Sequence, residues 1–214
     1  MTEKIRSTLR EMLGNEVGIG ITDPRDPEEG LLEAEYPAIA SAVPKRRREY
    51  AAGRRAARAA MTELGLPPAP ILTGTQREPL WPHGLVGSIA HSNTLCIAAV
   101  SLTHRSIGLD VEPAVPLPSD LERIVCTPTE RHWLETLPIN DRGLNARKIF
   151  SAKEAVYKAQ YLVTSQMIGF EDVNIQFEGV DFTADLPRTL TIQSMSGQLR
   201  LVEDYLLGSV RIDM

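Results

Sequence analysis

Two stretches of the chain carry a helical pattern. Over residues 44–64 the apolar residues Val43, Tyr50, Ala57, Met61 and Leu64 fall on one stripe at 100° per residue. Pro44 suits a first turn, alanine dominates the interior, and Gly65, Pro67, Pro68 and Pro70 end the helix. Asn145 to Tyr161 is the second such stretch, and residues 1–13 predict a shorter helix. Between them the period changes to two. Leu85–Ile89 and Leu95–Ser101 predict strands around a polar turn, His91-Ser92-Asn93, and Ser106–Val111 alternates as a third strand. Residues 119–136 read as helical with a break near Pro128. Phe170–Phe177 and Arg188–Ile192 predict strands, and Leu199–Ile212 a hairpin broken at Gly208. Residues 23–35, 74–84 and 113–118 are rich in proline and glycine and predict loops.

Helix, strands, helix, strands is the order of an α+β protein rather than a doubly wound sheet. With 214 residues and no internal repeat, two lobes are expected, 1–104 and 105–214, with a seam near residues 102–106. The longest apolar runs, such as Leu95 to Val100, fall far short of the ~20 residues of a membrane span. The charged N-terminus lacks an apolar signal core, and Cys96 and Cys126 form neither a disulfide framework nor a metal spacing. A cytoplasmic location with reduced thiols is the expectation.

Charge sharpens this picture. The net charge is −5, which argues against a general nucleic-acid binder. Yet Lys45–Arg58 alone holds seven basic residues and one acid. Such a concentration predicts a local anionic client. On the helix, Arg47, Arg54 and Arg58 fall within about 40° of one another, bordering the apolar stripe.

Three further groups carry candidate chemistry. In Ile107-Gly108-Leu109-Asp110-Val111-Glu112, strand alternation puts Asp110 and Glu112 on one face, about 7 Å apart along the chain. Two such carboxylates beside a glycine suit a hard cation, Mg²⁺ first, although a D-x-E pair alone is more often a solvated strand face. In Ser151-Ala152-Lys153-Glu154-Ala155-Val156-Tyr157-Lys158, Glu154 and Lys158 lie one helical turn apart. Either they form an ordinary surface pair, or Glu154 is a third ligand or general base with Lys153 and Lys158 neutralising phosphate. His91, at a strand-to-turn junction beside hydroxyls, can donate to a phosphate oxygen. His83, His104 and His132 have no such company.

Together and in this order, the segments PKRRREYAAGRRAAR (44–58), LPPAPILTG (66–74), REPLWPHGLVGSIAHS (77–92), SIGLDVEP (106–113) and IFSAKEAVYKA (149–159) resemble the 4′-phosphopantetheinyl transferases of the larger, surfactin-synthetase type. The nearest branch is the enterobactin-synthase-component-D kind. The resemblance implies a pseudo-dimer of two similar α+β lobes with coenzyme A in the cleft between them. It implies a monomer, since the trimeric holo-acyl-carrier-protein-synthase type has subunits about half this size. The implied reaction moves the phosphopantetheine arm of coenzyme A onto a serine of an apo acyl, peptidyl or aryl carrier protein, releasing 3′,5′-ADP. The carriers would belong to fatty-acid, polyketide or nonribosomal peptide synthases, siderophore synthesis included. Mg²⁺, or Mn²⁺, would sit on Asp110, Glu112 and Glu154. Glu154 would take the serine proton, directly or through water. Lys158 would stabilise the pyrophosphate. Arg46, Arg47, Arg54, His91 and Lys153 match phosphate-contacting positions. A docking surface for the carrier is expected over 114–133 and the start of the 145–161 helix.

Two residues depart from the family pattern. By the resemblance Thr73 stands where relatives often carry Lys or Arg, so one phosphate contact is either lost or supplied by Arg77, and Ala90 replaces a serine of other branches. Two rival readings use the same residues. One is a Mg²⁺-dependent nucleotide pyrophosphate hydrolase, which needs no protein acceptor. The other is a non-catalytic nucleic-acid-binding module built on the basic helix, against which the 5% aromatic content counts.

Overall fold

The computed structural model describes every residue, Met1–Met214. It is a mixed helix and sheet protein, as the patterning predicts. Helix α1 (Thr2–Leu13) leads into strand β1 (Gly18–Thr22), a 3-10 turn over Glu33–Ile39, and helix α2 (Pro44–Glu63). A small hairpin of β2 (Leu72–Thr73) and β3 (Pro79–Leu80) precedes β4 (Val86–His91), β5 (Cys96–Ser101) and β6 (His104–Pro113). Helices α3 (Ser119–Val125), α4 (Pro128–Glu135) and α5 (Ile139–Thr164) follow. The chain closes with β7 (Asn174–Glu178), β8 (Asp181–Asp185), β9 (Ser194–Val202) and β10 (Tyr205–Asp213).

The strands form two antiparallel sheets, ordered β1-β5-β4 and β6-β10-β9-β8-β7, besides the β2–β3 hairpin. Each sheet carries one long helix, and each pair meets by the same device. Gly20 of β1 runs so close under α2 that a Cβ would lie 1.8 Å from the Ala56 carbonyl oxygen. Gly108 of β6 runs as close under α5, where a Cβ would lie 1.9 Å from the Ala155 carbonyl oxygen. Glycine on the strand and alanine on the helix let backbone pack on backbone, which fixes what stands beside it on either element. On α2 the neighbours are arginines. On β6 and α5 they are Asp110, Glu154 and Lys158. A third apolar core, containing Ile5, Leu9, Ile97, Leu109 and Leu207, joins α1 to strands of both sheets. The two sheets also touch where the buried Leu109 N–H donates to Ser88 Oγ at 2.9 Å.

Several expected elements shift. Arg188–Ile192 is turn and bend rather than strand; the strand there is β8, whose alternation buries Phe182 and Ala184. Its acidic ends hide that alternation in the sequence. The last hairpin turns at Glu203-Asp204, with Glu203 at φ 53°, and Gly208 lies mid-strand between Leu199 and Asp110. Helix α5 starts at Ile139, six residues before Asn145. The 74–84 loop contains β3. Phe170–Asp172 is a 3-10 turn ahead of β7. The break in 119–136 falls at Cys126-Thr127, where the Thr127 hydroxyl accepts from Glu130 N–H and the Glu130 carboxylate accepts from Thr127 N–H.

Candidate active site

Strand β6 and helix α5 bring Asp110, Glu112, Glu154 and Lys158 to one place. Asp110 is buried. Lys158 donates to its Oδ1 at 3.1 Å and to the Leu109 carbonyl at 2.8 Å. Asp110 Oδ2 is buried with no hydrogen-bond partner. Glu112, two residues on, accepts from Arg147 Nη1 at 2.8 Å. Burial and the neighbouring Asp110 push the Glu112 carboxyl up to about 7, against the pull of Arg147 and Lys158. Burial also raises Glu154, with Lys158 opposing and Asp110 adding to the rise. Asp110 thus stands close enough to both glutamates to disfavour their charge.

The carboxylates do not form a closed three-ligand cluster; Asp110 is paired with Lys158 and Glu112 with Arg147. In chemistry they nevertheless fit a divalent cation. All donors are oxygens, and an orphaned buried carboxylate oxygen is a costly group that a hard cation satisfies.

Across from this group stands His91, at the end of β4. Its Nε2 lies 3.2 Å from Arg46 Nη1. Guanidinium only donates, so Nε2 is the acceptor and the ring is neutral. Burial lowers the His91 pKa; Glu49 opposes that, while Arg46 and Lys158 add to it. Two cavities flank α5. One of about 240 Å³ is mostly apolar, with Glu154, Tyr157, Met167, Ile168 and Phe170 in its wall. The other, about 210 Å³, lies between the β2–β3 hairpin and α5, with Arg77, Ser88, Tyr157 and Lys158 in its wall. The widest surface depression, about 880 Å³ beside α3 and the start of α5, holds none of the clustered carboxylates.

The expected phosphate contacts divide sharply. Lys153 shares the wall of the apolar cavity beside Glu154, but its ammonium is spent on protein acceptors. It is 1% exposed, and its three protons go to Glu130 Oε2 at 2.7 Å and to the Val125 and Phe170 carbonyls at 2.8 Å each. Its role is to tie α5 to α4 and to the turn before β7. Arg47 forks onto Glu28, at 2.7 and 2.6 Å, and reaches the Ile39 carbonyl at 3.1 Å. Arg54 is buried over the Tyr50 ring, donating to the Ile71 and Leu72 carbonyls and to Thr73 Oγ1. Arg58 pairs with the fully buried Glu35 at 2.7 Å. Arg55 bonds the Pro27 and Glu29 carbonyls and Asp26. Of the five residues matched to phosphate positions, Arg46 and His91 are left at the cleft mouth.

The anionic client expected of the basic helix is therefore largely internal: the acidic segment 23–35, which sequence reading left as a bare loop. Its signal was present as a run of acids close to a run of arginines. Glu35 was missed altogether. Its carboxylate accepts from Arg58, Ile71 N–H and Leu32 N–H, pinning the 3-10 turn and the root of β2 to α2. The nucleic-acid-binding reading loses Arg47, Arg54, Arg55 and Arg58 from its surface with this pairing.

Comparison with known proteins agrees with the geometry. Residues 33–101 match the 4′-phosphopantetheinyl transferase N-terminal domain, and residues 106–207 the 4′-phosphopantetheinyl transferase superfamily. The chain is 44% identical over 155 residues to the 4′-phosphopantetheinyl transferase Npt of Nocardia iowensis, covering 71% of this chain and 68% of that protein. It is 41% identical over 155 residues to the 4′-phosphopantetheinyl transferase Svp of Streptomyces mobaraensis, covering 71% and 63%. Enterobactin synthase component D of Escherichia coli is 35% identical over 142 residues, covering 65% and 66%. The chain thus spans about two thirds of the length of these relatives.

Proposed function

Because the chain belongs to the 4′-phosphopantetheinyl transferase superfamily, we propose that it transfers the phosphopantetheine arm of coenzyme A to a serine of an apo carrier protein. The observation that carries this reading is the buried group on β6 and α5: Asp110 with an orphaned oxygen, Glu112, and a Glu154 whose acidity burial has weakened. Phosphoryl transfer is mostly positioning and charge neutralisation; the carboxylates would supply the first, and Lys158 with a bound divalent cation the second. The serine oxygen bonds to the β-phosphorus, the bond from that phosphorus to the bridging oxygen breaks, and 3′,5′-ADP leaves. Glu154, or a water it orients, takes the serine proton; a carboxyl raised by burial is the better base. Lys158 would stabilise charge on the pyrophosphate. Asp110, Glu112 and Glu154 would hold Mg²⁺ or Mn²⁺, which supplies charge neutralisation on the two phosphates when bound.

The proposed frame is a pseudo-dimer of two lobes, 1–104 and 105–214, working as a monomer with coenzyme A between them. Arg46 and His91 come from the first lobe, the carboxylates and Lys158 from the second. The apolar cavity beside Glu154 suits the uncharged part of the arm. Carriers of fatty-acid, polyketide, nonribosomal peptide or siderophore synthesis are the proposed partners, docking over 114–133 and the exposed start of α5. No helix is long and apolar enough to cross a membrane, and a cytoplasmic site of action completes the reading.

The test is the intact mass of an apo carrier domain after incubation with this protein, coenzyme A and Mg²⁺, beside an EDTA control. A gain of one phosphopantetheine mass only with metal is the expected result. Coenzyme A cleaved equally without any carrier would establish the hydrolase instead.

A further inference from the structure

A ligand with three phosphate groups needs cations that are not already spent. Arg47, Arg54, Arg58 and Lys153 each have protein acceptors, so the cleft is poorer in free positive charge than the sequence implies. Thr73 is itself occupied by the Tyr50 hydroxyl at 3.0 Å and by Arg54 at 2.9 Å. Three residues on from Gly74, Arg77 is different. It is exposed, stands in the wall of the cavity that holds Lys158, and only its backbone N–H is bonded, to the Gly74 carbonyl at 3.1 Å.

Its backbone is also unusual. Arg77 has φ 67°, in the left-handed region that a residue with a Cβ seldom adopts. The turn holds it there. Gly74 N–H donates to the Glu78 carbonyl at 2.8 Å, and Gln76 N–H to the Glu78 carboxylate at 2.9 Å. The root of the hairpin is anchored in turn, since Ile71 is gripped by Glu35 through its N–H and by Arg54 through its carbonyl. A strained residue kept on an anchored turn is a reason to ask what its side chain does.

We propose that Arg77 is a phosphate-binding residue, presented on the β2–β3 turn to the nucleotide end of coenzyme A. The inference rests on the coenzyme A reading above. A guanidinium free of protein acceptors, on the wall opposite α5, can fork onto a phosphate that Lys158 meets from the other side. The 71–73 segment, held by Arg54 and Glu35, then fixes the position of Arg77 rather than touching the ligand with its own side chains.

The backbone strain makes the test clean. Arg77→Gly removes the charge while relieving the φ, so a loss of binding is not a loss of fold. Calorimetric titration of the whole chain with coenzyme A is expected to show about tenfold weaker binding in Arg77→Gly and in Arg77→Asn, with most of it restored in Arg77→Lys. The melting temperature of Arg77→Gly should not fall. Dephospho-coenzyme A locates the contact: a loss confined to coenzyme A assigns Arg77 to the 3′-phosphate, and an equal loss with both assigns it to the pyrophosphate. Wild-type protein that binds coenzyme A, with Arg77→Gly binding it equally well, overturns this inference alone. Wild-type protein that binds no coenzyme A overturns the reading of the site and this inference with it.

Discussion

Helix α2 and strand β6 both carry charged candidate chemistry in the sequence, and the structure treats them in opposite ways. On α2 four of the arginines are closed. Arg47, Arg55 and Arg58 meet Glu28, Asp26 and Glu35, and Arg54 meets three oxygen acceptors of the 71–73 segment. On β6 the charges are open. Asp110 keeps an oxygen with no partner, and Glu112 is pushed up to about 7 in spite of Arg147. A buried charge with every bond made holds structure, whereas one left short is costly and survives where something else completes it. Motif matching scores both regions alike. Counting hydrogen bonds separates them.

The largest expected effects fall on the open side. Glu154→Gln should lower kcat for carrier modification by about 10²–10⁴, the span of a general base, and leave coenzyme A affinity within a few-fold. Asp110→Ala should abolish metal-dependent transfer with the circular dichroism spectrum unchanged. Equal losses of rate and affinity in the glutamine variant would make Glu154 a binding residue. Retained transfer in Asp110→Ala would remove the strand site from the chemistry.

Lys153 tests the comparison from within the helix that carries Glu154. Adjacent in sequence, the two residues were expected to share the cleft, but Lys153 belongs to the closed class. Lys153→Ala strips the buried Glu130 of its cation, and breaking such a pair costs about 3–5 kcal/mol. Denaturant unfolding should show that loss, while the protein that remains folded binds coenzyme A as the wild type does. A stable variant with weakened coenzyme A binding would return Lys153 to the cleft.

A smaller effect separates the two classes by pH. Glu112 has a carboxyl raised in the folded state to about 7, from an ordinary 4.5. Between these values the folded chain binds more protons than the unfolded one, so stability falls as pH rises through the window. The difference is worth at most about 3 kcal/mol, and Glu154, raised by burial, adds a slope of the same sign. Urea midpoints in EDTA should therefore fall from pH 5 to pH 8, and Glu112→Gln should flatten part of that fall. A midpoint that rises with pH, or a slope the glutamine variant leaves intact, would mean that Glu112 is already satisfied. The arginines of α2 should contribute nothing to this slope.

Much of this was legible beforehand, and the failures share one cause. The α2 and α5 helices, strands β4 to β6, and the placing of Asp110 beside Glu154 and Lys158 follow from local periodicity, which lies in neighbouring residues. The pairing of Glu35 with Arg58 spans 23 residues, and that of Lys153 with Glu130 spans another 23. Neither leaves a trace in spacing. The strand at 181–185 was hidden for a different reason: only Phe182 and Ala184 face the core, and two apolar residues make too short an alternation to stand out.

The smallest expected effect is the sharpest test of the closed class. Arg47 sits at a phosphate-contacting position by resemblance, yet its fork lies on Glu28 and its remaining Nη on the Ile39 carbonyl. To bind coenzyme A it would have to leave a two-pronged carboxylate contact and strand Glu28, whose carboxyl that arginine holds below the usual range. Both side chains are partly exposed, so the pair contributes only a small amount to stability. Arg47→Gln should lower stability by that amount and change coenzyme A affinity by less than about twofold, against the roughly tenfold loss expected at Arg77. Glu28→Gln is the companion measurement. If Arg47 is structural, freeing it leaves affinity unchanged. If Glu28 restrains a phosphate ligand, freeing it tightens coenzyme A binding, and the division between closed and open charge fails at its most exposed member.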